Sequence, residues 1–308
     1  GLGDVYKRQV TLNPALDYVM RVGTLRYDDI NRSESEDIYY GGKGINVSTV
    51  LTRLEIENEA LGFVGGFTGD KLVEMLKGDG IRSDFNRISG GHTRINVKIK
   101  ADTELDVNAQ GPSVSDEEIA ALLKKLDDIK SGDVLVLAGS IPKNLPSDIY
   151  ERILAKLQNN GVKFVVDATG DLLKKCLAYK PFLVKPNHHE LGDLFGVETK
   201  CEEDIVIYAK KLQEMGAKNV LVSRGKDGAT LVDENGDVTT VGNVEGKPVS
   251  SVGCGDSMVA GFVAGFLKKG DYAYALKLGM ACGNATAFSE QLATRAEIDK
   301  MFDYYEKL

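Results

Sequence analysis

FLVKPNHHELGDLFGVETKCEEDIVIYAKKLQEMGAKNVLVSR, residues 182–224, decides the fold. Two short apolar runs, FLVKPN (182–187) and NVLVSR (219–224), bracket EEDIVIYAKKLQEMG (202–216), whose apolar residues recur at helical spacing. Continuous apolar strands alternating with helices are the pattern of a parallel sheet covered on both faces. The rhythm extends upstream, where VLVLAG (134–139) and FVVDAT (164–169) read as strands and DEEIAALLKKLDDI (116–129) as a helix. Three of these strands end in polar residues: Asp167, Lys185 with Asn187, and Ser223 with Arg224. Ligands of open α/β sheets sit at the carboxyl ends of strands, so a site is expected there.

The first third of the chain is different. DYVMRVG (17–23) and TRINVKIKA (93–101) alternate with a period of two, the mark of strands exposed on one face. Between them GGKGINVSTVLTRL (41–54) reads as a turn feeding a helix. A small sheet is therefore expected from pieces of about 17–40 and 92–112, attached to the α/β body as a lid, with no internal repeat and no low-complexity linker. The first nine residues, GLGDVYKRQ, lack an initiating Met and any clear pattern; they have the look of residues foreign to the natural protein and carry no weight.

Composition bounds the function. A chain of 308 residues, 43% hydrophobic and 27% charged, can bury a substantial core. No run approaches the ~20 apolar residues that span a bilayer, and no charged-then-apolar signal peptide is seen, so a cytoplasmic protein without a membrane partner is expected. The net charge of −8 argues against nonspecific nucleic-acid binding and requires any anionic substrate to be captured by local positive charge. Cys176, Cys201, Cys254 and Cys282 are widely separated, and His92, His188 and His189 are the only histidines, so disulfides and zinc are poor readings.

The residues 251–262, SVGCGDSMVAGF, plant a carboxylate where a glycine turn becomes a helix. Unpaired N–H groups and the positive end of the helix dipole make such a turn an anion site. Asp256 in that position suggests that a phosphate-bearing group reacts there and that the acid removes a proton; the dipole is expected to lower its pKa. The small residues Ala260, Gly261, Ala264 and Gly265 are expected to let the helix sit close to the sheet. Alone, GCGD is equally a tight turn, and Asp256 equally an N-cap. A Walker A loop and the dinucleotide fingerprint both fail on spacing, in YYGGKGIN and GFVGGFTGD respectively. KPNHHEL (185–191) holds Asn187 and Glu190 three apart, able to face one hydrated Mg²⁺, although Glu190 alone is an ordinary first-turn acid. SRGKDGA (223–229) is a strand-end turn that could admit a nucleotide or simply connect a hairpin, and Lys43 in GGKG alone reads as a solvent-exposed lysine.

NPALD (13–17), GGKGIN (41–46), TRINVKI (93–99), GSIP (139–142), KPNHHEL, SRGKDGA and VGCGDSMVAGF occur in this order. Together they resemble the PfkB, or ribokinase-like, family of carbohydrate kinases, from Val10 to the C-terminal helices. The resemblance implies a single domain over 10–308: a three-layer α/β sandwich with a mainly parallel central sheet and a small β lid. It implies Asp256 as the catalytic base and Gly253, Cys254 and Gly255 as the anion hole. An ATP site follows from Lys185, Asn187, Ser223, Arg224, Gly225, Lys226, Asp227, Gly228, Gly255 and Asn284, with Asn187 and Glu190 associated with Mg²⁺. Sugar contacts would come from Asp17, Gly41, Gly42 and Asn46, and Lys43, Arg94 and Ser140 would hold a phosphate already on the sugar. Cys254 departs from the more usual Ala of the family, and the first strand before Val10 lacks its usual form.

The expected reaction is ATP-dependent phosphorylation of fructose 1-phosphate at its 6-hydroxyl, by a homodimer joined through the lid. Tagatose 6-phosphate or fructose 6-phosphate are alternative acceptors. A non-catalytic sugar-phosphate sensor would be expected to lack the base or the anion hole, and both are present.

Overall fold

The structure is a computed structural model that describes residues 7–307. In the first third of the chain the strands are β1 (Lys7–Thr11), β2 (Ala15–Arg21), β3 (Ser35–Gly41), β4 (Glu59–Val64), β5 (Asn86–Arg87), β6 (Arg94–Lys100) and β7 (Glu104–Val107). The remainder contributes β8 (Val134–Ala138), β9 (Lys163–Asp167), β10 (Leu183–Val184), β11 (Asn219–Ser223), β12 (Ala229–Val232) and β13 (Val238–Val241). The helices are α1 (Lys43–Arg53), α2 (Gly66–Gly78), α3 (Asp116–Lys125), α4 (Ile149–Leu157), α5 (Gly170–Leu177), α6 (His188–Phe195), α7 (Glu202–Glu214), α8 (Cys254–Lys269), α9 (Tyr272–Ala287) and α10 (Arg295–Glu306).

Among the described residues a nine-stranded sheet runs in the order β13-β12-β11-β10-β9-β8-β1-β4-β5. It is parallel from β11 to β5, and β12 and β13 close one edge antiparallel. The continuous apolar runs have a plain cause. Along β8, Leu135 and Leu137 pack into one core with α3 to α7, while Val134, Val136 and Ala138 pack into a second core with α1, α8, α9 and α10. Successive side chains point to opposite faces, so a strand buried on both sides must be apolar throughout. The result is the expected three-layer sandwich.

Two details differ from the sequence expectation. β10 is only two residues long, because Pro186 has no N–H to give a ladder and Asn187 already caps α6. The central strand β1 begins at Lys7, upstream of the Val10 boundary, and pairs with both β4 and β8. Its Gln9 is fully buried and accepts a hydrogen bond from Ser48 on α1 at 2.6 Å. Residues 1–6 lie outside the described residues.

A separate four-stranded sheet, β3-β2-β6-β7, comes from two segments of chain, 15–41 and 94–107. Its register puts Leu16, Tyr18, Ile38, Ile95, Val97, Leu105 and Val107 on one face. Asp17, Arg21, Asp37, Asn96, Lys98 and Asp106 lie on the other. On the polar face Asn96 donates to Asp17 at 2.8 Å, and Lys98 pairs with Asp106 at 3.0 Å. No helix of the described residues is long and apolar enough to cross a membrane.

The small-residue face of α8 packs on a helix, which corrects the expectation that it meets the sheet. A Cβ at Gly261 would lie 2.6 Å from the Leu278 carbonyl oxygen and 2.8 Å from Gly279 Cα, and one at Gly265 would lie 2.7 Å from Ala275 Cα. Gly279 on α9 reciprocates, its absent Cβ falling 2.9 Å from the Met258 carbonyl oxygen. Backbone meets backbone, so no side chain can bend away. Gly261→Ala is expected to lose ~1–3 kcal/mol despite the better helix propensity of alanine. Gly78→Ala, where nothing lies within 4 Å, should be neutral or stabilise by up to ~1 kcal/mol. Urea denaturation of the two variants checks the contrast.

Candidate active site

The chain leaves β1 for β4 on one side and later returns to place β8 on the other side of β1, so the strand order reverses between β1 and β8. Such a reversal leaves a crevice at the strand carboxyl ends. A cavity of about 670 Å³ opens there, with Lys43, Gly139, Ser140 and Asp167 on its wall.

Gly253 caps α8 in the left-handed conformation, φ 77°, and provides no side-chain cap. Gly253 therefore leaves the first N–H groups of α8, those of Cys254, Gly255 and Asp256, without a capping side chain, the kind of helix start that can receive an anion. A Cβ at Gly253 would lie 2.5 Å from Leu292. Asp256 sits in the first turn and is not the N-cap; it is 5% exposed, and its Oδ2 accepts a hydrogen bond from Asn46 Nδ2 at 2.7 Å. Asn46 lies in the first turn of α1, so 210 residues of sequence separate the two partners.

Next to this turn Asp167, at the end of β9, is shared by two lysines. Lys43 Nζ lies 3.1 Å from one carboxylate oxygen and Lys185 Nζ 3.6 Å from the other. Lys185 is buried, and a Cβ at Gly255 would lie 3.1 Å from its ammonium, so β10 delivers a cation directly to the turn that opens α8. Burial opposes the charge of both Asp167 and Lys43. Pairing outweighs it: Lys185 and Lys43 hold the Asp167 carboxyl below the usual range, and Asp167 with Asp256 raises Lys43.

Asp256 goes the other way. Burial first, and then the neighbouring charge of Asp167, push its carboxyl up to about 6, against the lowering influence of Lys43, Asn46 and Lys185. The expected depression by the helix dipole is thus overturned, because desolvation of a buried carboxylate exceeds the fractional charge of a helix end. Cys254 is half-buried, donates to the Ser250 carbonyl at 3.5 Å, and is pushed up to about 11 by burial and then by Asp256. It is a neutral thiol that leaves the turn intact.

The other residues singled out from the sequence divide. Ser223 and Asn187 are bridged in register, and the Ser223 N–H donates to the Pro186 carbonyl at 3.1 Å, so the KPNHHEL and SRGKDGA segments lie side by side. Asn187 and Glu190 form a reciprocal capping box on α6, each accepting from the other's backbone N–H at 2.8 Å. One Glu190 oxygen stays outside the cap, and its charge is close enough to raise Lys43. Mg²⁺ held mainly by phosphates and water needs one or two protein carboxylate oxygens, and this donor set fits that mode. Among the described residues no cluster of three or more His, Cys, Asp and Glu could hold a metal by itself.

Gly225, Lys226 and Asp227 form an exposed 3-10 turn, anchored by Asn243 donating to the Gly225 carbonyl at 3.2 Å. Gly228 (φ 91°) has the Val241 carbonyl where a Cβ would be. Arg224 turns away from this strand end: its guanidinium donates to Glu202 at 3.1 Å and to Thr230 at 3.2 Å. Asn284 is buried on α9 and donates to the Tyr305 hydroxyl at 2.5 Å, which in turn donates to the Gly242 carbonyl.

At the end of β3 Gly41 adjoins Asp17, and Gly42 turns with φ 128° over Thr11. Lys43 and Ser140 share the main cavity, but Arg94 does not. Its guanidinium donates to the Asn13 and Ala109 carbonyls at 3.2 and 3.1 Å and lines a second cavity beside Phe67 and His92. Sequence reasoning placed Asp167 among the polar strand ends where a site is expected but assigned it no role; its pairing with Lys43 and Lys185 is visible only in the folded chain.

Three comparisons bear on this arrangement. Residues 10–299 match the model of the pfkB family of carbohydrate kinases. The chain is 45% identical to a 1-phosphofructokinase of Bacillus subtilis (strain 168), over 95% of this chain and 96% of that one. It is 35% identical to a D-tagatose-1-phosphate kinase of Bacillus licheniformis, over 94% and 95%. A crystal structure of a phosphofructokinase from Staphylococcus aureus, described there as putative, superimposes with a TM-score of 0.87 at 40% identity, covering 96% of each chain. With two glycine turns, two lysines and a buried acid converging on one crevice, the chain belongs to the pfkB family of carbohydrate kinases.

Proposed function

We propose that the protein transfers the γ-phosphoryl group of ATP to the 6-hydroxyl of fructose 1-phosphate, giving fructose 1,6-bisphosphate and ADP. The observation that carries the chemistry is the buried Asp256 carboxylate, hydrogen-bonded to Asn46 and placed in the uncapped first turn of α8. Phosphoryl transfer asks mainly for in-line positioning and stabilisation of charge. Asp256 accepts the hydroxyl proton as the oxygen attacks. The backbone N–H groups of residues 253–256 receive the migrating phosphoryl group, and Lys185 beside Gly255 offsets its charge. Mg²⁺, when bound through the Asn187–Glu190 pair, neutralises charge on the nucleotide phosphates. Nucleotide contacts are assigned to the 223–228 turn, and sugar contacts to Asp17, Gly41, Gly42 and Asn46. Both curated relatives named above are kinases of sugar 1-phosphates, which favours a C1 phosphate on the acceptor. Tagatose 1-phosphate is the second acceptor supported by the same observation.

The small sheet serves as a lid whose polar face, with Asp17, meets the sugar and excludes water. Its apolar face leaves Ile38, Ile95, Leu105 and Val107 exposed at 41–55%. Exposed strands with an apolar face favour pairing with a second copy, so a homodimer through this sheet is part of the proposal. Four free cysteines fit a reducing, cytoplasmic setting.

A coupled ADP-release assay across fructose 1-phosphate, tagatose 1-phosphate, fructose 6-phosphate, tagatose 6-phosphate and ribose tests the acceptor; preference for any sugar without a C1 phosphate overturns it. Asp256→Asn should lower kcat by ~10²–10⁴-fold with ATP binding retained. The wild-type kcat/KM should fall with an acid limb at about 6, where Asp256 takes up its proton. Asp256 titrates higher in the folded chain than an ordinary aspartate, so its stabilising contribution is present below ~4 and lost as pH rises through about 6. Asp256→Asn should therefore raise the Tm at pH 8 and lose that advantage near pH 4; a melting series in pH checks the sign. Sedimentation at micromolar protein should give a dimer that Ile38→Asp with Val107→Asp converts to monomer.

A further inference from the structure

The turn that opens α8 is held from outside its own element. Between α9 and α10 the segment 288–293 has no regular secondary structure, yet it reaches that turn. The Leu292 side chain fills the place that a Cβ on Gly253 would need, 2.5 Å away. One residue on, the Ala293 N–H donates to the Thr286 hydroxyl at 3.2 Å. Thr286 shares a hydrogen bond of 2.9 Å with the Ser257 hydroxyl, and the Ser257 N–H closes on the Gly253 carbonyl at 2.8 Å. Ala293, Thr286 and Ser257 are all buried, and Ser257 is the chain neighbour of Asp256. An apolar contact and a polar chain thus run from one short segment to the two ends of the same turn.

One side chain clamps this segment. Arg53, in the last turn of α1, donates from Nη1 to the Leu292 carbonyl at 2.5 Å and to the Ala293 carbonyl at 2.9 Å. Arg295, at the start of α10, returns the tie by donating to Glu55 at 3.0 Å and to the Arg53 carbonyl at 3.4 Å. A basic residue at a helix C-terminus commonly serves its own helix, where the dipole and the free carbonyls favour it. The Arg53 guanidinium instead gives two charge-assisted hydrogen bonds to carbonyls 239 and 240 residues away. The same helix brings Lys43 to Asp167 and Asn46 to Asp256 from its first turn. Its 11 residues, ~16 Å of rigid rod, join those contacts to the clamp.

We infer that Arg53 is a positioning residue for phosphoryl transfer: by clamping the Leu292 and Ala293 carbonyls it holds the turn at 253–256 in place against Asn46. This rests on the kinase reading above. Arg53 lies at the end of α1 away from Lys43 and Asn46, so it acts through the segment and not on a substrate. Misplacing reacting groups by about 1 Å can cost on the order of 10²-fold in rate. A slackened clamp should therefore reach kcat before it reaches binding.

Arg53→Met keeps the stem and removes the donors. Its kcat should fall about tenfold or more, while the KM for ATP and for fructose 1-phosphate change by less than about threefold. Arg53→Lys, whose ammonium can still donate to a carbonyl, should recover most of the loss. Thr286→Val removes the hydroxyl between Ala293 and Ser257. In the double variant with Arg53→Met the loss of kcat should fall short of the product of the single losses, because both act through one segment. Hydrogen exchange reads the clamp without turnover: peptides covering 250–262 should exchange faster in Arg53→Met, and those covering 134–139 should not. A folded Arg53→Met variant with wild-type kcat, or with unchanged exchange over 250–262, overturns the inference and leaves the kinase reading standing. A wild-type protein that phosphorylates no sugar overturns that reading and the role in transfer with it, and the exchange result still decides whether Arg53 holds the turn.

Discussion

The site depends on how one buried carboxylate divides two cations. Asp167, 3% exposed, takes Lys43 on one oxygen and Lys185 on the other. Uncompensated buried charge is costly, so each of the three groups needs the others. The division has a chemical result. With both lysines drawn toward Asp167, the nearby Asp256 is left with a neutral partner, Asn46, and its burial together with the Asp167 charge makes it basic. An ordinary aspartate would be a weak base at neutral pH. In this one, burial and the Asp167 charge push the carboxyl up to about 6.

That arrangement needs the first turn of α8 at a fixed depth, and glycine provides it. Gly261, Gly265 and Gly279 allow α8 and α9 to touch backbone to backbone, which leaves the pair no freedom to slide. Gly253 and Gly255 act at the other end, the first by turning the chain with positive φ, the second by leaving room for the Lys185 ammonium. The apolar helix interface and the polar turn belong to one rigid element. Strain at either would move the carboxylate relative to Asn46 on α1.

The small sheet divides its two faces by the same alternation that builds the main sheet. On the main sheet both faces are covered and β8 is apolar throughout. On the small sheet the register sorts apolar side chains to one face and polar ones to the other. On the polar face Asp17 is held by Asn96, while Ile38, Ile95 and Val107 collect on the reverse. A period of two thus accounts for a polar face and an apolar face in the same strands.

Local pattern alone determined the parallel sheet, the helices between its strands and the glycine turn that opens α8 at 253–256, because strand burial and helix capping are set by residues close in sequence. Ordered motifs likewise sufficed to point to a carbohydrate kinase. Tertiary structure decided the rest. The pKa of Asp256 rises because Asp167 and a desolvating shell, assembled from distant segments, outweigh a local helix dipole. Arg224 sits in a nucleotide-like turn yet reaches Glu202, and Arg94 shares a substrate motif yet occupies another cavity. The glycines of α8 meet a helix that follows them in sequence, and nothing in their own spacing distinguishes it from the sheet. Charge partnership and close packing are settled by which distant groups the fold brings to a buried atom, and only the folded chain specifies that.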